Sequence, residues 1–65
     1  MKENFIEFKS INGNRVFVNY LMITHLEELK HNDMTNIYYL GGGENTIDLK
    51  IELVVEKLIE IAKNK

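Results

Sequence analysis

Short segments that alternate apolar and polar residues fill the first two thirds of this chain, and one segment of helical period closes it. Alternation with period two turns one face of a strand toward a core. Apolar residues at i, i+3, i+4 and i+7 line one stripe of a helix instead. A chain with the first pattern followed by the second is expected to be α+β. The expected form is a small antiparallel β-sheet of about four or five strands, open to strong curvature, followed by one C-terminal α-helix.

The strands read as follows. Phe5 to Ile11 is the first, with Ile6, Phe8 and Ser10 on one face and Phe5, Glu7, Lys9 and Ile11 on the other. Asn12-Gly13 is a hairpin signal for a type I′ turn, which needs positive φ at both central residues. Arg15 to Asn19 returns as the second strand, Val16 and Val18 opposite to Phe17, and Asn19-Tyr20 is a short turn. From Leu21 to Leu29 the pattern is double. Leu21, Met22, Leu26 and Leu29 fit helical spacing, whereas the β-branched start at Ile23-Thr24 favours a strand from about Ile23 to Lys30. His31-Asn32-Asp33 is turn chemistry. Thr35 to Leu40 is the next strand, Ile37 and Tyr39 on one face, Asn36, Tyr38 and Leu40 on the other. A loop from Gly41 to Asn45 leads to a short return strand from Thr46 to Leu49.

Ile51 to Lys63 is the clearest helix. Ile51, Val54, Val55, Leu58, Ile61 and Ala62 form its apolar stripe, and Leu53 and Ile59 widen it. Asp48 is positioned to cap its start, and Lys63 and Lys65 suit the dipole at its end. One small sheet face covers one helix face, so Leu53 and Ile59 are expected to stay exposed or to meet another chain. Leu53 and Ile59, with Tyr38 on a sheet face, are the candidate interface residues.

With 65 residues the chain makes one small domain, 1–65. A domain of this size buries only about 60% of the surface its unfolded chain exposes, and small domains commonly add disulfides, a metal or a partner subunit. There is no cysteine, which removes disulfides and thiolate zinc sites and leaves a partner subunit. The apolar share is 45%, enough to argue against disorder. The net charge of −2 and a single arginine, Arg15, argue against a phosphate-binding surface. No apolar run approaches the roughly 20 residues of a membrane span, and Met1 to Asn4 lacks the apolar core of a secretory signal. A cytoplasmic location is the expectation.

Chemistry-bearing constellations are sparse. His25 and His31, with Glu27, Glu28 and Asp33 nearby, offer imidazole and carboxylate for a metal or for acid–base work. The six residues between the histidines span a strand, so the plainer expectation is one half-exposed strand residue and one turn residue. Gly41-Gly42-Gly43 joins two strands rather than opening a helix, so it reads as a hairpin loop and not a phosphate cradle. Ser10 has no histidine near it in sequence. Tyr38-Tyr39, Tyr20, Phe8 and Phe17 suggest a stacking platform, but adjacent aromatics on a strand face opposite ways, so core packing is favoured. No catalytic, cofactor or metal residue is assigned.

One resemblance extends across about Phe5 to Ala62. Ile11-Asn12-Gly13, then Asn19, Ile23 and Glu27-Glu28, a second glycine turn, and the helix with Val54-Val55-Glu56-Lys57-Leu58-Ile59 together resemble the FlbD family of small flagellar and swarming-motility proteins of bacteria. The chain departs from the family pattern at Asp48-Leu49-Lys50-Ile51-Glu52 and in the wider second turn. The resemblance implies a regulatory or accessory role and transfers no catalytic residue. The leading expectation is therefore a nonenzymatic protein that binds protein, itself or another. The alternative is a nucleic-acid-binding regulator that uses Lys2, Lys9, Arg15 and an aromatic such as Phe17 or Tyr38 on a sheet face.

Overall fold

The computed structural model describes residues 4–30 and 33–64. Strand β1 (Phe5–Lys9) pairs antiparallel with β2 (Arg15–Asn19), and a single 3₁₀ turn (Tyr20–Met22) leads to β3 (Ile23–Leu29). β4 (Met34–Tyr39) pairs with β3 and with β5 (Glu44–Ile47), both antiparallel, and α1 (Ile51–Lys63) closes the chain. The fold is α+β, five strands in two small antiparallel sheets and one C-terminal helix. His31, Asn32, Lys2 and Lys65, to which the sequence reading gave roles, lie outside the described residues.

The two sheets meet where β1 runs on past Lys9. Ser10 forms an isolated bridge with Ile47. On either side of it the Asp48 N–H donates to the Lys9 carbonyl (3.0 Å) and the Ile11 N–H to the Thr46 carbonyl (3.3 Å). Through this seam the strands run in the order β2, β1, β5, β4, β3. The core is small: Phe8, Val18, Ile37, Ile47 and Val54 are buried, two from each side of the seam and one from the helix. The period-two faces hold in β1, β2 and β4. Ile6 and Phe8 oppose Val18 and Val16 on the inner face, while Glu7 opposes Phe17 outside.

Three local expectations are corrected, and the ambiguity of β3 is explained. Asn12 does not take positive φ; only Gly13 does, at 86°. The Gly13 N–H closes a turn onto the Ser10 carbonyl, and the Ser10 N–H reaches the Asn14 carbonyl, which is the three-residue hairpin loop with glycine last rather than a type I′ turn. β5 starts at Glu44, two residues before the expected Thr46, because the loop closes early through Tyr39 N–H to the Gly43 carbonyl (3.0 Å). β3 carries a register shift between Ile23 and His25. The extra residue rotates the faces, so that Ile23 and Leu26, three apart, both pack on the core, and this bulge is why the segment also fitted helical spacing. Asp48 does not cap α1. The capping position is Lys50, with no side-chain hydrogen bond to the helix, and Asp48 is spent on the seam.

The connector from β5 to α1 is pinned at both ends. Thr35, fully buried, donates its hydroxyl to the Leu49 carbonyl (2.9 Å), while Asp48 is held by Lys9. Replacement by the isosteric apolar residue, Thr35→Val, leaves that carbonyl without its partner. It is expected to lower stability by about 1–3 kcal/mol in urea denaturation, with the slope unchanged.

Candidate functional site

Two outward surfaces carry the polar and aromatic groups singled out in the sequence, and they differ in charge. The first is the outer face of β3, β4 and β5. Register places His25 opposite Tyr38 and Tyr38 opposite Glu44 in one row, and Glu27, Asn36 and Thr46 in the next. The His25 ring stacks on Tyr38 at 4.4 Å and 14°. His25 Nδ1 lies 3.0 Å from the Thr24 hydroxyl. The Tyr38 hydroxyl donates to Glu27 Oε1 at 2.7 Å and accepts from Asn36 Nδ2 at 3.3 Å. Asn36 Oδ1 in turn accepts from the Thr46 hydroxyl at 2.6 Å. A carboxylate acceptor and a second carboxylate at Glu44 both oppose ionisation of the phenol, and the Tyr38 pKa is raised, the Glu27 bond contributing most.

Tyr39 goes the other way. It faces inward, packs on the core and donates its hydroxyl to Asn45 Oδ1 at 2.6 Å; burial raises its pKa. Only one of the paired tyrosines is therefore available on a surface, as alternation requires.

The second surface lies where the outer face of β1 and β2 meets α1. Lys9 opposes Arg15, and Glu7 opposes Phe17. The Arg15 guanidinium is 5.5 Å from the Phe17 ring centroid and 3.8 Å from the Glu7 carboxylate. Lys57 reaches over from the helix: its ammonium donates to the Glu7 carbonyl at 3.3 Å and sits 5.3 Å from the Phe8 ring centroid. A shallow groove between them is lined by three cations, Lys9, Arg15 and Lys57, and by the carboxylates Glu7 and Asp48.

The candidate interface residues do not form one patch. Leu53 and Ile59 are 42% and 54% exposed. Six residues apart on α1, they lie about 120° apart around its axis. Ile59 shares its flank with Val55 and Ala62, both exposed; Leu53 shares the opposite flank with Lys57. Tyr38 lies on the far side of the β3–β5 sheet from the helix. At a third place, the Leu40 N–H donates to the Met22 carbonyl at 2.7 Å, which sets the exposed side chains of Leu21, Met22 and Leu40 at one end of the molecule. The sequence reading did not single out this tip, nor the reach of Lys57 to β1. Leu40, apolar beside three glycines, was its one visible signal.

Among the described residues no cluster of three or more histidine, cysteine or acidic side chains is placed to hold a metal, and no helix is long and apolar enough to cross a membrane. Neither a family model, nor a curated protein, nor a solved structure matches the chain.

The Tyr38 arrangement has a spectroscopic consequence. Glu27→Gln removes the charged acceptor and its repulsion, so the phenol is expected to ionise at lower pH than in the unsubstituted chain. Ultraviolet titration, with Tyr38→Phe to assign the signal, reads the shift.

Proposed function

We propose that this chain is a nonenzymatic accessory or regulatory protein that works by binding protein, and that its first partner is a second copy of itself. The supporting observation is the balance of apolar surface. Among the described residues five apolar side chains are buried, whereas nine large ones, Phe17, Leu21, Leu40 and Ile59 among them, are 37% to 66% exposed. Scattered exposed apolar residues are ordinary, but here they concentrate on a helix flank, a hairpin face and one tip. A domain this small gains most from covering such surface with a subunit. The accessory role is also what the FlbD resemblance implies, and a cytoplasmic site of action accords with it. His25 adds no argument for catalysis, because its ring is engaged by Tyr38 and Thr24 on an open face. Light scattering on a sizing column, from about 5 to about 200 µM, should show the mass rising from 7.6 kDa toward twice that value. A constant 7.6 kDa would remove self-association and leave the apolar surface to a different protein.

A second reading, nucleic-acid binding, is favoured by the groove of Lys9, Arg15 and Lys57 beside Phe17. Within that groove Glu7 and Asp48 offset part of the positive charge. Tyr38 does not contribute, because it sits between Glu27 and Glu44 on the other sheet. Fluorescence anisotropy with random oligonucleotides at about 50 mM salt tests it, since low salt favours phosphate contacts. On the protein-binding reading no titratable binding appears, and Lys57→Glu changes nothing in that assay.

A further inference from the structure

The observations also point to which surface a second copy would use. β3 is an outermost strand. It pairs with β4 on one side, while β2, its neighbour in sequence, pairs with β1. Among the described residues no backbone hydrogen bond joins β2 to β3. An unpaired edge of seven residues is a template for another strand. We propose that the β3 edge pairs antiparallel with the β3 edge of a second copy, centred on Leu26, so that two three-stranded sheets join into one of six. This rests on the self-association reading above.

Among registers centred on the middle of β3, which use most of its edge, charge favours one. A two-fold axis normal to the joined sheet keeps inner faces on one side, so it must pass between one residue and its own copy. Residues equally far on either side of that residue then oppose each other. Centred on Glu27, the pairing sets Glu27 against its own copy and Leu26 against Glu28. Centred on Glu28, it sets Glu28 against itself. Centred on His25, it sets the two imidazoles together and Ile23 against Glu27. Centred on Leu26, it sets Leu26 against Leu26 and, twice by symmetry, His25 against Glu27 of the other copy. That register places no two carboxylates opposite each other and makes two imidazole–carboxylate pairs. Tyr38 already holds both groups on the outer face, the His25 ring by stacking and Glu27 by its hydrogen bond.

The helix agrees with this placement. Lys57 ties one flank of α1 to β1. Ile59, two residues on, lies about 160° from Lys57 around the axis. The flank of Val55 and Ile59 therefore faces away from β1, and α1 rests on β3 and β4. A copy added at β3 brings its own α1 to the same face of the joined sheet. The two Val55–Ile59 flanks then approach each other across the axis, which gives their exposed side chains a partner.

Charge exchange tests the register. His25→Glu makes two glutamate pairs across the axis and is expected to weaken the dimer about tenfold in sedimentation equilibrium. Glu27→Lys alone also weakens it. An equal mixture of the two variants should restore the unsubstituted affinity. Each mixed dimer sets the introduced glutamate against the introduced lysine and keeps one native pair of His25 with Glu27. In the unsubstituted protein, amide exchange in β3 should slow as concentration rises. If the mixture does not recover, or β3 exchange is independent of concentration while the chain is dimeric, this interface is overturned and self-association uses another surface. If the unsubstituted chain stays monomeric at about 200 µM, the self-association reading falls and this one with it.

Discussion

The bridge between Ser10 and Ile47 holds the molecule together. Its two flanking backbone hydrogen bonds are each worth only about 1 kcal/mol net. Yet they join the β1–β2 hairpin to the β3–β4–β5 sheet. Phe8 and Val18 come from one side of that seam, Ile37 and Ile47 from the other, and neither pair closes a core alone. A flat five-stranded sheet would set all four on one plane. Across the seam the two pairs join one cluster, which Val54 of the helix completes and Leu58 packs against. Asp48 is not the cap, because the chain enters the helix two residues later, at Lys50, after the Asp48 N–H has completed the seam and Thr35 has taken the Leu49 carbonyl. The helix direction is thus set by the seam and the connector, and its uncapped start at Lys50 accompanies that geometry.

What the sequence made legible follows from this arrangement. Alternation in β1, β2 and β4 sorted the residues onto their two faces, because those strands keep period two along their length, but which face turns inward was not legible from the alternation. The helix was legible from Ile51 to Lys63, since the inward strip of buried Val54 and half-buried Ile51, Leu58 and Ile61 needs only its own period. Val55 and Ala62 were placed in the stripe, but only a narrower strip is covered; a small curved sheet presents a narrow surface to a helix. β3 was ambiguous for a physical reason. The bulge at Thr24 inserts a residue, and the inward positions Ile23 and Leu26 then mimic a helical spacing. Thr35 gave no signal, as a threonine on a strand is ordinary and its burial depends on Leu49, fourteen residues away. The Tyr38 network could not be read either. It joins three strands, and the rows it occupies exist only once the bulge has fixed the register.

Charge separates the two outward surfaces in a way that composition alone concealed. A net charge of −2 suggests a mildly acidic particle. In the fold, Glu27 and Glu44 flank Tyr38 on one sheet, whereas Lys9, Arg15 and Lys57 gather beside the other. Tyr38, a candidate for base stacking by sequence pattern, therefore sits between carboxylates, while Arg15 lies over Phe17 and Lys57 over Phe8. Each surface must therefore be judged by its own local charge and not by the net charge of the chain.

The shortage of core is what the proposal of association, in place of chemistry in a cleft, is built on. A preorganised active site needs side chains held by packing around them, and the five buried apolar residues among those described supply little such support. The groups that are held here, His25, Glu27 and Tyr38, are held by one another on an open face, where water competes for each hydrogen bond. Such groups suit recognition across an interface: their positions are set by strand register, and their energies become appreciable only when a partner removes the water. The same reasoning applies to the exposed edge of β3. Its backbone groups gain little from solvent that a strand would not give them better, and a partner strand would also extend the sheet on which the helix rests.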